Sequence, residues 1–187
     1  LVNYHRSLDV VRKTGNKIVI ANTLNNKANI HFSMADYETA LKIYSESLDI
    51  REHLSDKHGI ASSYINIGII YSILGKYNKA MECFSKSQKI RESLNDKNGL
   101  INALRNIGKI SLRIMQYNIA LTSLEKAHEI QQELDQTKSQ LAETKIRILL
   151  INKRMGHEII NNEIDKHIKE LIEPDSELQY DIYHLTN

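Results

Sequence analysis

The 187 residues carry 25 Lys and Arg against 23 Asp and Glu, a net charge of +2 that by itself implies no nucleic-acid partner. Cys83 is the single cysteine, which excludes an internal disulfide and fits a reducing, cytoplasmic setting. One Pro, seven Gly and no Trp suit helices with short connections, and no apolar run reaches membrane-spanning length or forms a secretory core near the start.

The chain opens on Leu1, inside a pattern. Ser7, Leu8, Asp9 and Val10 align with Ser47, Leu48, Asp49 and Ile50, so residues 1–14 read as the second helix of a truncated repeat. The sequence therefore reads as an excerpt of a longer protein. A period of 40 residues follows: the stretch Ser45–Gly59 returns as Ser85–Gly99, and Asn66, Ile67, Gly68 as Asn106, Ile107, Gly108. Tyr37, Tyr77 and Tyr117 share register, as do Ala40, Ala80 and Ala120. A fixed period of this size means stacked supersecondary units, each too small to bury its own apolar face.

Three clear repeats follow at 18–54, 58–94 and 98–134. Each holds two apolar patterns of helical spacing. In the middle repeat the first runs from about Ile60 to Leu74 through Ala61, Tyr64, Ile67, Gly68 and Tyr71. The second runs from Tyr77 to Leu94 through Ala80, Phe84, Ser87 and Ile90. Gly75-Lys76 and the stretch from Asn95 to Gly99 interrupt them. Gly68, Gly108, Ala28, Ala80 and Ala120 keep side chains small where helices approach closely. Residues 138–172 read as a degenerate fourth repeat, with Arg147 for Ile107, Ile148 for Gly108 and His157 for Tyr117. Pro174 marks a break before a terminal helix at 175–186, a polar cap for the array.

Asn66, Ile67, Gly68, Tyr71, Gly75, Tyr77, Ala80, Phe84 and Ile90 resemble the tetratricopeptide repeat (TPR) pattern, whose usual unit is about 34 residues. The longer unit resembles the arrays of kinesin light chains, Pins-type adaptors and bacterial TPR regulators. HEAT and armadillo repeats have similar lengths but lack this Gly, Tyr and Ala register. The resemblance covers residues 8–134 and decays beyond them. It implies an all-α fold, an alpha-alpha superhelix of antiparallel helix pairs forming one solenoid across 1–187, whose first helices line a concave groove.

Signals for chemistry are sparse. The eight His are scattered, and His157-Glu158 is followed by Asn161, which breaks zinc-protease spacing. His53 and His58 flank a loop with no evident carboxylate or Cys partner, and Cys83 has no evident base. The sequence predicts no catalysis, cofactor or metal site in this segment.

On a helical wheel the groove-facing positions of the first repeat are Asn22, Asn25, Asn26, Asn29 and Ser33. Those of the second are Ser62, Ile65, Asn66, Ile69 and Ile73, and those of the third Asn102, Arg105, Asn106, Lys109 and Arg113. Lys145 and Lys153 extend the charge into the fourth. Asn26, Asn66 and Asn106 form a ladder that either pairs with an extended peptide backbone or braces neighbouring helices. Ile65, Ile69 and Ile73 make their helix apolar almost all round, so either the array or a partner covers them. Arg105, Lys109 and Arg113 form a stripe that is either solvated or met by a counter-charge. Asn29, Arg105 and Lys109 match part of the carboxylate clamp of some TPR proteins. Asn25 stands where that clamp expects Lys, and Ile69 where it expects Asn, which argues against a chaperone-tail ligand.

The expected function is non-catalytic binding of a protein or peptide, acidic and with an apolar anchor, with neither nucleic acid nor membrane as partner. Two alternatives remain: a ligand- or peptide-sensing module of a larger bacterial signalling protein, and a regulatory segment attached to an enzyme domain outside this chain.

Overall fold

The computed structural model describes residues 15–156, 166–168, 178, 179, 182 and 183. The helix expected over 1–14 lies outside the described residues, as do His157, Pro174 and most of 157–172 and 175–186. The described helices are α1 (Lys17–Ser33), α2 (Tyr37–His53), α3 (Lys57–Ile73), α4 (Tyr77–Ser93), α5 (Lys97–Arg113), α6 (Tyr117–Glu133) and α7 (Lys138–Arg154). Among the described residues there is no strand. Each helix has 17 residues, and two such helices with two three-residue turns make up the 40-residue period.

The turns explain why the helices stop where they do. Each holds one residue in the left-handed region: Ala35, Ser55, Gly75, Asn95, Met115 and Asp135. That conformation turns the next amide back onto the helix. Asp36 N–H donates to His31 O at 2.9 Å, Lys76 to Tyr71 O at 2.8 Å and Gln116 to Ser111 O at 2.8 Å, capping carbonyls that would otherwise lack a donor. Starts are capped in turn by Asn16, Asp36, Asp56 and Thr137, whose side chains accept from the third residue onward. Thr137 and Gln140 cap each other reciprocally.

The chain divides into two compact units, Leu1–Asp96 and Lys97–Asn187. In the first, α1 to α4 pack each on the next. Its core joins Leu24, Ala28, Ile43, Tyr44, Ile67, Ile70 and Cys83. Gly68 lies under the buried ring of Phe84: a Cβ at residue 68 would sit 2.6 Å from Cε1. In the second unit α5 to α7 pack in the same order. Gly108 lies against Leu124 there, a Cβ falling 2.6 Å from its Cγ. Ile148, at the next position in register, is instead a buried member of the cluster of Ala120, Leu124 and Ile151. Leu178 is buried against Ile146, Leu149 and Leu150 of α7.

A buried polar clamp recurs with the period. Arg51, 8% exposed, bonds Asn22 Oδ1 on α1 at 2.9 Å and pairs at 3.5 Å with Asp56, the cap of α3. Arg91 repeats this with Ser62 Oγ at 2.7 Å and with Asp96. In the second unit Gln131 donates to Gln136 Oε1 at 3.0 Å and to Gln140 O at 3.3 Å, an amide pair replacing the ion pair. Arg51 thus ties α2 to α1 and to the entry of α3. Gly59 lies against Arg51 and Asp56, leaving no room for a Cβ, whereas beside the shorter Gln131 the residue in register is Ser139. Ser47 and Ser87 add buried bonds to Ala21 O and Ala61 O, at 2.8 and 2.9 Å.

A carboxylate-poor candidate binding face

The first helices of the pairs, α1, α3, α5 and α7, carry nearly all the residues selected from sequence. Within each unit they meet side chain to side chain. Asn66 Nδ2 on α3 donates to Asn25 Oδ1 on α1 at 3.2 Å, and Arg105 on α5 pairs with Glu143 on α7.

The asparagines divide among several partners. Asn22 holds Arg51, and Asn29 accepts from the Tyr44 hydroxyl. Asn106 turns back on its own helix, bonding Asn102 O at 2.9 Å and Asn102 Oδ1 at 3.0 Å. Asn26 is exposed, and Asn66 braces α3 against α1 through Asn25.

The apolar strip also divides. Ile65 is buried at 6% exposure, Ile69 is half-buried, and Ile73 is 47% exposed. Ile65 therefore belongs to the packed interior and is no open-groove anchor, a correction to the sequence reading. Arg105 meets a counter-charge, one of the two alternatives open for the stripe. It is a half-buried residue whose partner Glu143 also lies 3.6 Å from Arg147, so Arg105 is not part of a freely solvated stripe. Lys109, Lys145 and Lys153 are half-buried and Arg113 is exposed. His58, read as lacking a carboxylate, lies 3.7 Å from Asp96.

Sequence reasoning missed the distribution of charge between helix types. α1 carries two Lys and no carboxylate, α3 one Lys and none, α5 four Lys or Arg and none, and α7 five with Glu143. The second helices hold the acids: Glu38, Glu46, Asp49 and Glu52 on α2, Glu82 and Glu92 on α4, Glu125, Glu129 and Glu133 on α6. Because helices of one type share a side of each unit, this sorting makes that side cationic. The signal lay in the residue string, but only helix boundaries turn it into a face.

Burial shifts titratable groups among the described residues. Burial pushes the Cys83 thiol up to about 11, with Glu82 adding to the shift. His128 is held below its ordinary value by burial, then by Lys145 and His167. Among the described residues no group of three His, Cys, Asp or Glu is placed to hold a metal, and no helix is long and apolar enough to cross a membrane.

A search by sequence among curated proteins finds no match. Solved structures do match in fold. The crystal structure of BtubC (BKLC) from P. vanneervenii aligns with a TM-score of 0.79 at 14% identity, over 98% of this chain and 72% of that one. The apo form of RapI aligns at 0.78 and 17%, over 96% of this chain, which spans about half of RapI, 50%. YrrB, described as a TPR protein with an unusual peptide-binding site, aligns at 0.61 and 18%, over 97% of this chain and 81% of its own. At these identities the likeness is one of fold. The tetratricopeptide repeat model matches the sequence itself, at residues 19–93 and again at 59–133, more than half of the chain, and the chain belongs to the tetratricopeptide repeat family.

Proposed function

We propose that this segment binds an acidic protein or peptide segment along its first helices. TPR arrays commonly mediate protein or peptide binding. The observation that carries the finer reading is the charge sorting: four helices on the same side of their pairs hold a single carboxylate, Glu143, already shared by Arg105 and Arg147. A surface with excess positive charge attracts a carboxylate-bearing chain and speeds its encounter. In the second unit the reading involves Asn102, Asn106, Lys109, Arg113, Lys145 and Lys153. In the first it involves Asn26, Asn66, Ile69 and Ile73.

The test is fluorescence anisotropy with short labelled peptides rich in Asp and Glu, against basic peptides of equal length. Acidic peptides should bind, with affinity falling as salt rises, and Lys109→Glu with Arg113→Glu should weaken them. Arg105 is left intact in that variant, because a carboxylate there would face Glu143. Equal binding of acidic and basic peptides, or indifference to the double reversal, would remove the reading.

A further inference from the structure

The turn that enters α1 has the form of the turn that enters α3. Gly15, with φ of 67°, stands in register with Ser55 at 54°, and the side chain of Asn16 caps α1 as that of Asp56 caps α3. A turn of this form reverses the chain, which is how α2 comes to pack against α3.

Where α2, α3 and α4 meet, the charges stand in a fixed order. The Tyr64 hydroxyl on α3 donates to Glu52 Oε1 on α2 at 3.2 Å, and Lys86 Nζ on α4 lies 5.4 Å from the centre of the Tyr64 ring. Glu52 and Lys86 are thus brought together at one tyrosine. The same two residue types stand in register at Glu92 and Lys126. One period earlier both charges are reversed: Arg12 stands for Glu52 and Glu46 for Lys86, with buried Leu24 in place of Tyr64.

The clamp changes in step. Arg51 pairs with Asp56 and leaves no room for a Cβ at Gly59. One period earlier these positions hold Val11, Asn16 and Val19. With no guanidinium at residue 11, residue 16 needs no carboxylate and residue 19 needs no glycine. Residues 11 and 12 therefore change together with positions on α1 and α2, in size and in charge, as side chains do where they touch.

We infer that residues 1–14, which lie outside the described residues, dock in cis on α1 and α2 with Arg12 pairing to Glu46, and that the reversed charges reserve this surface for them. Glu46 and Asp49 share a depression of about 430 Å³ with Ile20 and Ile50, between α1 and α2. The segment brings Arg6, Arg12 and Lys13 to it against the single carboxylate of Asp9. At the position of Arg12, α2 and α4 carry Glu52 and Glu92, which Glu46 repels. The surface thus accepts the chain's own first segment and rejects those helices of a second copy, specificity coming from the repulsion as much as from the pair.

Disulfide trapping in the full chain tests the placement. Arg12→Cys with Glu46→Cys should cross-link within one molecule under a mild oxidant. Arg12→Cys with Glu38→Cys, about 12 Å further along α2, should not. Cys83 is buried and stays out of the reaction. Equal cross-linking by the two pairs, or none by either, overturns the docking. Cross-links between molecules would make a second copy the occupant and overturn it as well. Hydrogen exchange tests the charge pair. Arg12→Glu and Glu46→Arg should each speed amide exchange over residues 1–14 roughly two- to fivefold, the scale of one exposed ion pair, with α5 to α7 unchanged. Both changes together should restore the slow rate, since the pair re-forms with its charges exchanged. Exchange as fast in the double variant as in the single ones would show that Arg12 and Glu46 do not meet, and the inference would fall.

Discussion

Gly68 is where the packing argument can be tested most sharply. It lies mid-helix on α3, where replacing Gly by Ala ordinarily stabilises by about 1 kcal/mol through backbone entropy. Here the added methyl would lie 2.6 Å from Phe84 Cε1 and 2.9 Å from Cδ1, and the ring is fully buried. Inserting a methyl into a packed site of this kind costs roughly 1–3 kcal/mol. The two effects leave Gly68→Ala less stable by on the order of 1 kcal/mol. Urea unfolding followed by circular dichroism measures it. Adding Phe84→Leu should shrink the obstruction, so that Gly68→Ala turns neutral or stabilising in that background. The double-mutant cycle subtracts the cost of Phe84→Leu itself and should return a coupling of roughly 0.5–3 kcal/mol. If Gly68→Ala stabilises equally in both backgrounds, the glycine is not there to admit the ring. Gly108 with Leu124 repeats the experiment in the second unit.

Ile65→Ser should cost on the order of 2–5 kcal/mol, as core truncations do, and Ile73→Ser less than about 0.5 kcal/mol; equal costs by urea unfolding would mean the strip is not divided. His128 sits below its ordinary value of 6.5, chiefly from burial, so the unfolded chain takes up the proton first as pH falls. Its contribution to stability is present above about pH 6.5 and is lost as pH drops through the lower folded value. His128→Gln should flatten that part of the stability profile, and an unchanged slope would refute the assignment. Cys83, buried and with its thiol raised to about 11, should react with a thiol reagent at neutral pH only on unfolding; rapid labelling of the folded protein would show the site to be open.

The residue string by itself determined the repeat, the helical class and the family, because a 40-residue period of Gly, Tyr and Ala reports local backbone demands and contacts between neighbouring helices. It also contained the clamp, since Arg51, Asp56 and Gly59 return as Arg91, Asp96 and Gly99 where turns are otherwise free to vary. Their joint role shows only when Arg51 is seen to reach α1 and the cap of α3 at once. Tertiary structure alone decided which groove candidates are open. Residues spaced by four drift about 40° per step around a helix of 3.6 residues per turn. Ile65 and Ile73 thus differ by about 80°, enough to carry one into the packing and leave the other in water. The position of Ile65 recurs as half-buried Arg105 and Lys145, so the inward tilt belongs to the fold rather than to the isoleucine. Nor does any local pattern announce that Arg105 finds Glu143, 38 positions along the chain. That pairing exists because two first helices are brought alongside, and a period reports which helices neighbour one another without saying which of their side chains pair.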